Sequence, residues 1–186
     1  MPYNSVTTIV YAPDTTIWLG TVQNLGSGGL VKIKNGQLSV FSKENSLIPY
    51  NTLDRIIIDP NGNLLLSSDV LFELRNGILD GYLYLFDGKD NWVEISPAVN
   101  SKDLTNRVTA TIYDKNGYLW VATGVDPNRS NADYSLSKYS NGEWNILSPK
   151  RKNFPRTYIP DIAVDNSNNL WIAAPDADGI IKIAID

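Results

Sequence analysis

The sequence predicts an all-β fold, a small or partial β-propeller of about four four-stranded antiparallel blades with the last blade incomplete. The first observation behind this is a phrase that recurs along the chain: Asp59-Pro60-Asn61-Gly62-Asn63-Leu64-Leu65, Asp114-Lys115-Asn116-Gly117-Tyr118-Leu119-Trp120 and Asp165-Asn166-Ser167-Asn168-Asn169-Leu170-Trp171, with a looser copy at Asp14-Thr15-Thr16-Ile17-Trp18. Aligned on the tryptophan slot, Trp18, Leu65, Trp120 and Trp171 stand about 47, 55 and 51 residues apart, the spacing of an array whose repeat is one supersecondary unit. The second observation is apolar alternation at period two in short runs bounded by turn residues, as antiparallel strands require. The third is that no window keeps an apolar stripe at helical spacing, and Gly and Pro fall between the runs.

Taken in order, the first repeat, about 7–51, has runs at 7–12, 17–22, 29–34 and 37–42. Lys34-Asn35-Gly36-Gln37 joins the last two as an Asn-Gly hairpin, because a primed turn needs residues that tolerate positive φ. Gly26-Ser27-Gly28-Gly29 reads as slack between strands; it is no phosphate loop, since neither Lys-Ser/Thr nor a helix follows it. The second repeat, about 52–106, has runs at 53–59, 63–68, 81–86 and 92–96. The run at 70–74 competes for third place, and 81–86 is preferred because the turn Asp87-Gly88-Lys89-Asp90 then leads directly into Trp92.

The third repeat, about 107–158, has runs at 107–114, 118–123, 134–139 and 143–148, and the fourth, about 159–186, has runs at 159–165, 170–174 and 180–185 only. Together they predict a single propeller domain over 1–186. A blade without its outer strand leaves an edge that proteins pair, cover or close with a borrowed strand. The module therefore either closes poorly as a four-bladed ring or belongs to a larger ring completed by another segment or a second copy. Two copies of about three and a half blades give about seven, within the usual four to eight.

Composition excludes several function classes. A chain of 186 residues is long enough for a real core. Sixteen basic against twenty acidic side chains, a net charge of −4, argues against nucleic acid as a partner. There is no cysteine, so neither a disulfide nor a thiolate metal site is available. There is no histidine, which removes the commonest general base and the usual ligand of catalytic zinc. No cofactor or metal is expected. With no run of about eighteen apolar residues and no basic-apolar leader at Met1, no membrane insertion is expected either. A piece of a longer secreted or anchored protein has the same appearance, so the compartment stays open.

The Asp-x-x-Gly-x-Leu-Trp-Val/Ile-Ala-Thr phrase, followed by a Gly-aromatic strand and a Gly-x-Trp turn strand, resembles the two-component regulator propeller repeat. The residues carrying it are Asp59, Gly62, Leu64, Asp114, Gly117, Leu119, Trp120, Thr123, Asp165, Leu170 and Trp171, with Gly142 and Trp144 at the later turn. The lead-in Glu44-Asn45-Ser46-Leu47-Ile48-Pro49-Tyr50-Asn51 is also typical of it. The resemblance implies a rigid extracytoplasmic sensing module of hybrid two-component receptors, often a reader of carbohydrate fragments. This chain departs from those sensors in size and in having no kinase or transmembrane segment of its own. The expected function is a non-enzymatic ligand- or partner-binding module, its partner an unknown small ligand such as an oligosaccharide or a protein. An extracytoplasmic location, periplasmic or secreted, is expected if the chain is part of a sensor or secreted protein. Two alternatives stand beside it: an assembly unit that completes a larger propeller as a homo-oligomer, and a histidine-free propeller lyase or hydrolase.

Each candidate site also has a plainer role. Trp18, Trp120 and Trp171 repeat at one strand position, which favours packing between blades over ligand contact. Trp92 and Trp144 start outer strands and are able to stack on a sugar face, although packing over a blade edge is the commoner use. The turns at Asp59 and Asp114 open like calcium loops, but their twelfth positions are Val70 and Val125 where a bidentate carboxylate is needed. They read instead as hairpin turns whose Asp caps backbone amides while Gly or Asn adopts positive φ. Asp126, Asp133, Asp176 and Asp178 read as solvated loop acids. Loops joining second to third strands share a face with those joining blades, and this face collects the insertions 69–80 and 124–133 and the basic stretch 150–156. The ligand-binding candidates are therefore Arg75, Asn76, Asp126, Asn128, Arg129, Arg151, Arg156 and Tyr158, groups suited to sugar hydroxyls or a carboxylate. Insertion tolerance is the plainer account of the same loops.

Overall fold

The tryptophan slot sets the register of every sheet. A computed structural model of the chain describes residues 5–23, 27–48, 51–68, 82–95, 108–124, 135–147, 158–175, 177 and 179–185, which form strands and turns and no helix. Blade 1 is β1 (Ser5–Tyr11), β2 (Ile17–Gln23), β3 (Ser27–Lys34) and β4 (Gln37–Phe41). Blade 2 is β5 (Arg55–Ile58), β6 (Leu64–Ser68), β7 (Tyr82–Phe86) and β8 (Trp92–Glu94). Blade 3 is β9 (Val108–Tyr113), β10 (Leu119–Thr123), β11 (Ser135–Ser140) and β12 (Glu143–Ile146). Blade 4 is β13 (Ile162–Val164), β14 (Asn169–Ala174) and β15 (Gly179–Ala184), a three-stranded sheet as the sequence predicts. Each sheet is antiparallel with its strands in sequence order. Direct pairing of β6 with β7 settles the third strand of blade 2 in favour of Tyr82–Phe86.

In blades 2, 3 and 4 the turns that deliver the slot are built by one aspartate each, and in blade 1 Ala12 stands in that place. Asp114 Oδ1 accepts the amides of Asn116 at 2.9 Å and Tyr118 at 3.0 Å, and its Oδ2 accepts the Trp120 indole N–H at 2.8 Å. Asp165 repeats this on Ser167, Asn169 and the Trp171 indole. Asp59 takes the amides of Asn61 and Asn63, and where the slot holds Leu65 its other oxygen accepts Asn63 Nδ2 at 2.9 Å instead. Three residues after each aspartate the chain turns through positive φ, at Gly62 (87°), Gly117 (80°) and Asn168 (60°). Gly and Asn are the residues that take this conformation at little cost.

Across the sheet from each slot tryptophan lies a lysine: Lys32 opposite Trp18, Lys138 opposite Trp120 and Lys182 opposite Trp171. Their ammonium groups sit 5.0, 5.9 and 5.2 Å from the ring centroids, within cation–π range. The three pairs stand 14, 18 and 11 residues apart in the chain, so this second half of the repeat emerges only from the register.

The chain divides into two compact units, Met1–Phe72 with Gly81–Ser96, and Glu73–Asp80 with Pro97–Asp186. In the first, Trp18 meets Phe86 edge-on at 5.8 Å and Phe41 at 6.0 Å, so the slot of blade 1 packs on blade 2. Lys32 Nζ crosses the same boundary to the Gly88 carbonyl at 2.8 Å, and Thr7 Oγ1 donates to the Leu53 carbonyl. In the second unit Trp120 joins Ala122 and Leu136 of blade 3 to Ile162, Leu170 and Ile172 of blade 4. Two expectations need correction. Trp18 and Trp120 are 4 % and 3 % exposed, but Trp171 is 37 % exposed, because its unit has no further blade for that face to meet. Ser27, Gly28 and Gly29 are part of β3 rather than slack. A Cβ at Gly29, where φ is 128°, would lie 2.3 Å from the Phe41 carbonyl oxygen, so glycine serves a close approach of backbones.

Candidate functional site

Unit 1 carries an open cleft of about 400 Å³, lined by Phe41, Glu44, Asn45, Ser46, Leu47, Lys89, Asp90 and Trp92. This lies within the volume range of small-ligand sites. One wall is the turn that follows β4, and its shape is fixed by hydrogen bonds rather than by packing. Asn45 Oδ1 accepts the Ser42 amide at 2.7 Å, Asn45 Nδ2 donates to the Val40 carbonyl at 2.9 Å, and Ser46 Oγ donates to the Ser42 carbonyl at 2.6 Å. Asn51, buried behind this turn, accepts the Lys43 amide at 2.7 Å and donates to both Glu44 carboxylate oxygens at 3.3 and 3.2 Å. Hydrogen bonds involving Ser42 first and Asn51 second hold the Glu44 carboxyl below its ordinary range. Glu44 is thus an ionised acceptor at neutral pH.

The other wall is the β7–β8 turn. Asp87 Oδ1 accepts the amides of Lys89 at 2.8 Å and Asn91 at 3.1 Å, which lowers its own pKa and presents Lys89 and Asp90 to solvent. Trp92 forms the apolar floor. Its ring stacks on Phe86 at 3.8 Å and 17° and lies 6.0 Å from Phe41, so a half-buried indole is clamped in one orientation. Trp144, the matching residue of blade 3, contacts Tyr139 at 4.9 Å. An indole flanked by carboxylates, an amide and an ammonium group has the make-up of a site for a polyhydroxylated ligand, with one apolar face and several hydrogen-bonding edges.

Of the ligand-binding candidates named from sequence, Tyr158 is described and is half-buried in unit 2. Arg75, Asn76, Asp126, Asn128, Arg129, Arg151 and Arg156 lie outside the described residues. So do Asp133, Asp176, Asp178 and the alternative strand at 70–74. The cleft shares no residue with that set. Its Glu44–Leu47 wall comes from a connection between blades, the loop class the sequence singled out, whereas Lys89 and Asp90 come from a hairpin turn that it did not. The available signals were Trp92 and the Glu44-Asn45-Ser46 lead-in. Among the described residues no group of three or more His, Cys, Asp or Glu side chains is placed to hold a metal ion. Among them, too, no helix is long and apolar enough to cross a membrane.

Four sheets with strands in sequence order, three of them entered through an aspartate turn, define the blade architecture of a β-propeller, and solved structures agree. The chain is similar to PorZ, a bacterial surface component of the type-IX secretion system of Porphyromonas gingivalis (15% identity, TM-score 0.65, 96% of this chain and 26% of that one). It is similar to streptogramin B lyase (16%, TM-score 0.65, 99% and 53%). It is also similar to an extracellular domain assigned to a hybrid two-component system of B. thetaiotaomicron (17%, TM-score 0.51, 98% and 28%). The chain thus spans between about a quarter and about half of these proteins, and identity at this level shows the fold alone. Residues 103–124 match the two component regulator propeller family model, in agreement with the resemblance read from the repeats. No curated protein matches the sequence.

Proposed function

We propose that the chain is a non-enzymatic binding module whose unit 1 cleft takes a carbohydrate fragment, as the recognition part of an extracytoplasmic sensor or secreted assembly. The observation that carries this is the Trp92 ring, oriented by Phe86 and ringed by Glu44, Asn45, Lys89 and Asp90. A sugar ring stacked on the indole would place its hydroxyls among these groups. The state of Glu44 does not fit the general acid of a glycosidase. A general acid in a glycosidase needs a raised pKa, and the hydrogen bonds to Glu44 lower it. The family match at residues 103–124 and the fold shared with an extracellular domain assigned to a two-component system support the sensing context and the location.

Titration calorimetry of the chain against a panel of neutral and acidic oligosaccharides tests this. At least one member gives heat, and Trp92→Ala lowers its affinity at least tenfold, the order of loss when a stacking surface is removed. No heat from any member, or an unchanged affinity in Trp92→Ala, refutes the assignment.

A further inference from the structure

Each slot tryptophan carries an ammonium group of the chain's own. Lys32, Lys138 and Lys182 hold theirs 5.0, 5.9 and 5.2 Å from the Trp18, Trp120 and Trp171 ring centroids, and Lys32 adds an oxygen acceptor, the Gly88 carbonyl at 2.8 Å. Ring face and oxygen together satisfy an ammonium group, since the quadrupole attracts the charge while the oxygen takes one of its three N–H donors. Trp92 differs: among the described residues no lysine or arginine lies over its ring. Phe86 covers one face at 3.8 Å. Phe41 lies 5.2 Å from Phe86 and 6.0 Å from Trp92, so it stands beside that stack and not over the outer face. The outer face of the indole is therefore the surface that Trp92 gives to the cleft.

The oxygen acceptor is present as well. Two carboxylates, Glu44 and Asp90, and one ammonium group, Lys89, line the cleft, an excess of one negative charge. Among the described residues neither carboxylate has an ion-pair partner. Glu44 is held by neutral donors, with the Asn51 amide on both oxygens at 3.3 and 3.2 Å, so its charge is fixed in place without being neutralised. We infer that the sugar unit on Trp92 carries a free ammonium group, held between the outer face of the indole and Glu44, so that the cleft prefers an amino sugar with an unacylated amine. This rests on the assignment of the cleft to carbohydrate and narrows it. An N-acetylated amine brings no charge to either partner, and a uronic acid brings a third carboxylate toward Glu44 and Asp90. A neutral sugar still stacks on the indole but lacks the ion pair, and binds more weakly.

Titration calorimetry at low salt and mildly acidic pH, where the amine is protonated, isolates the ammonium group when three β-1,4-linked tetramers are compared: those of glucosamine, N-acetylglucosamine and glucose. The glucosamine tetramer should bind about tenfold more tightly than the other two, the order expected of one open ion pair and one cation–π contact. Glu44→Gln should bring its affinity down to that of the glucose tetramer and leave the glucose tetramer unchanged. Trp92→Ala should weaken all three, which separates the cleft from general attraction of a cationic ligand to a protein of net charge −4. Equal affinities for the three in the parent overturn the preference and leave the carbohydrate assignment standing. A glucosamine affinity that survives Glu44→Gln or Trp92→Ala also overturns the preference. No heat from any of the three does so too, and the same silence across the wider oligosaccharide panel overturns both.

Discussion

Replacing Asp114 by alanine tests whether the aspartate turn holds the tryptophan slot or merely accompanies it. The substitution removes acceptors for the amides of Asn116 and Tyr118 and for the buried Trp120 indole. Loss of a capping side chain costs about 1 kcal/mol, and leaving a buried N–H unsatisfied costs a further 1–3 kcal/mol or so. Asp59→Ala is the matched control. It loses the same two kinds of amide contact, but its third partner is the half-buried Asn63 amide, which can turn to water. Asp114→Ala should therefore cost about 2–4 kcal/mol and Asp59→Ala about 1 kcal/mol. Urea unfolding followed by tryptophan fluorescence and by circular dichroism gives both numbers. A cycle with Trp120→Phe should return a coupling of roughly 1–3 kcal/mol between Asp114 and the indole. Equal costs for Asp59→Ala and Asp114→Ala, or a coupling near zero, would refute the reasoning.

Acid should weaken the fold through the same turns. Asn169, chiefly, and then Trp171 hold the Asp165 carboxyl well below its ordinary range, and hydrogen bonds to Lys34 and then Thr16 bring Asp14 to about 2. Because these folded-state values are depressed, their stabilisation is full above the unfolded carboxyl value and disappears as pH falls through the folded one. Urea midpoints should thus hold steady down to roughly pH 4 and drop below it, with a shallower drop in Asp165→Asn; a midpoint that rises on acidification contradicts this. Gly29→Ala should cost about 3 kcal/mol, because its Cβ would meet the Phe41 carbonyl at a φ that L residues avoid, and a thermal midpoint equal to that of the parent would show that the backbone yields instead. Lys32→Met keeps the stem over Trp18 but loses the bond to Gly88; a loss of about 1 kcal/mol is expected, and a more stable variant would show that the crossing contact is idle.

Blade 2 shows how far the sequence reached and where it stopped. The choice between 70–74 and 81–86 for its third strand was legible because Asp87-Gly88-Lys89-Asp90 is a turn with a defined partner in Trp92, and β7 is Tyr82–Phe86. The cleft beside that turn was not legible. Glu44 and Lys89 are 45 positions apart in the chain, and they share a cleft only because blade 1 packs its Trp18 face on blade 2. The loop residues chosen from length alone pointed elsewhere, since insertion length reports tolerance rather than which side chains converge.

By itself the sequence determined the local structure: period-two alternation set the strands, the recurring aspartate set the turns, and the tryptophan slot set the register. These signals are local, each acting over a few residues through backbone geometry and short hydrogen bonds. Only the tertiary structure decided that Trp18 and Trp120 are buried while Trp171 is open. Matching aspartate turns deliver Trp120 and Trp171 to equivalent positions, and a turn of the same backbone pattern with Ala12 in the aspartate's place delivers Trp18. What differs is whether another blade lies against them, a property of neighbours rather than of the residues themselves.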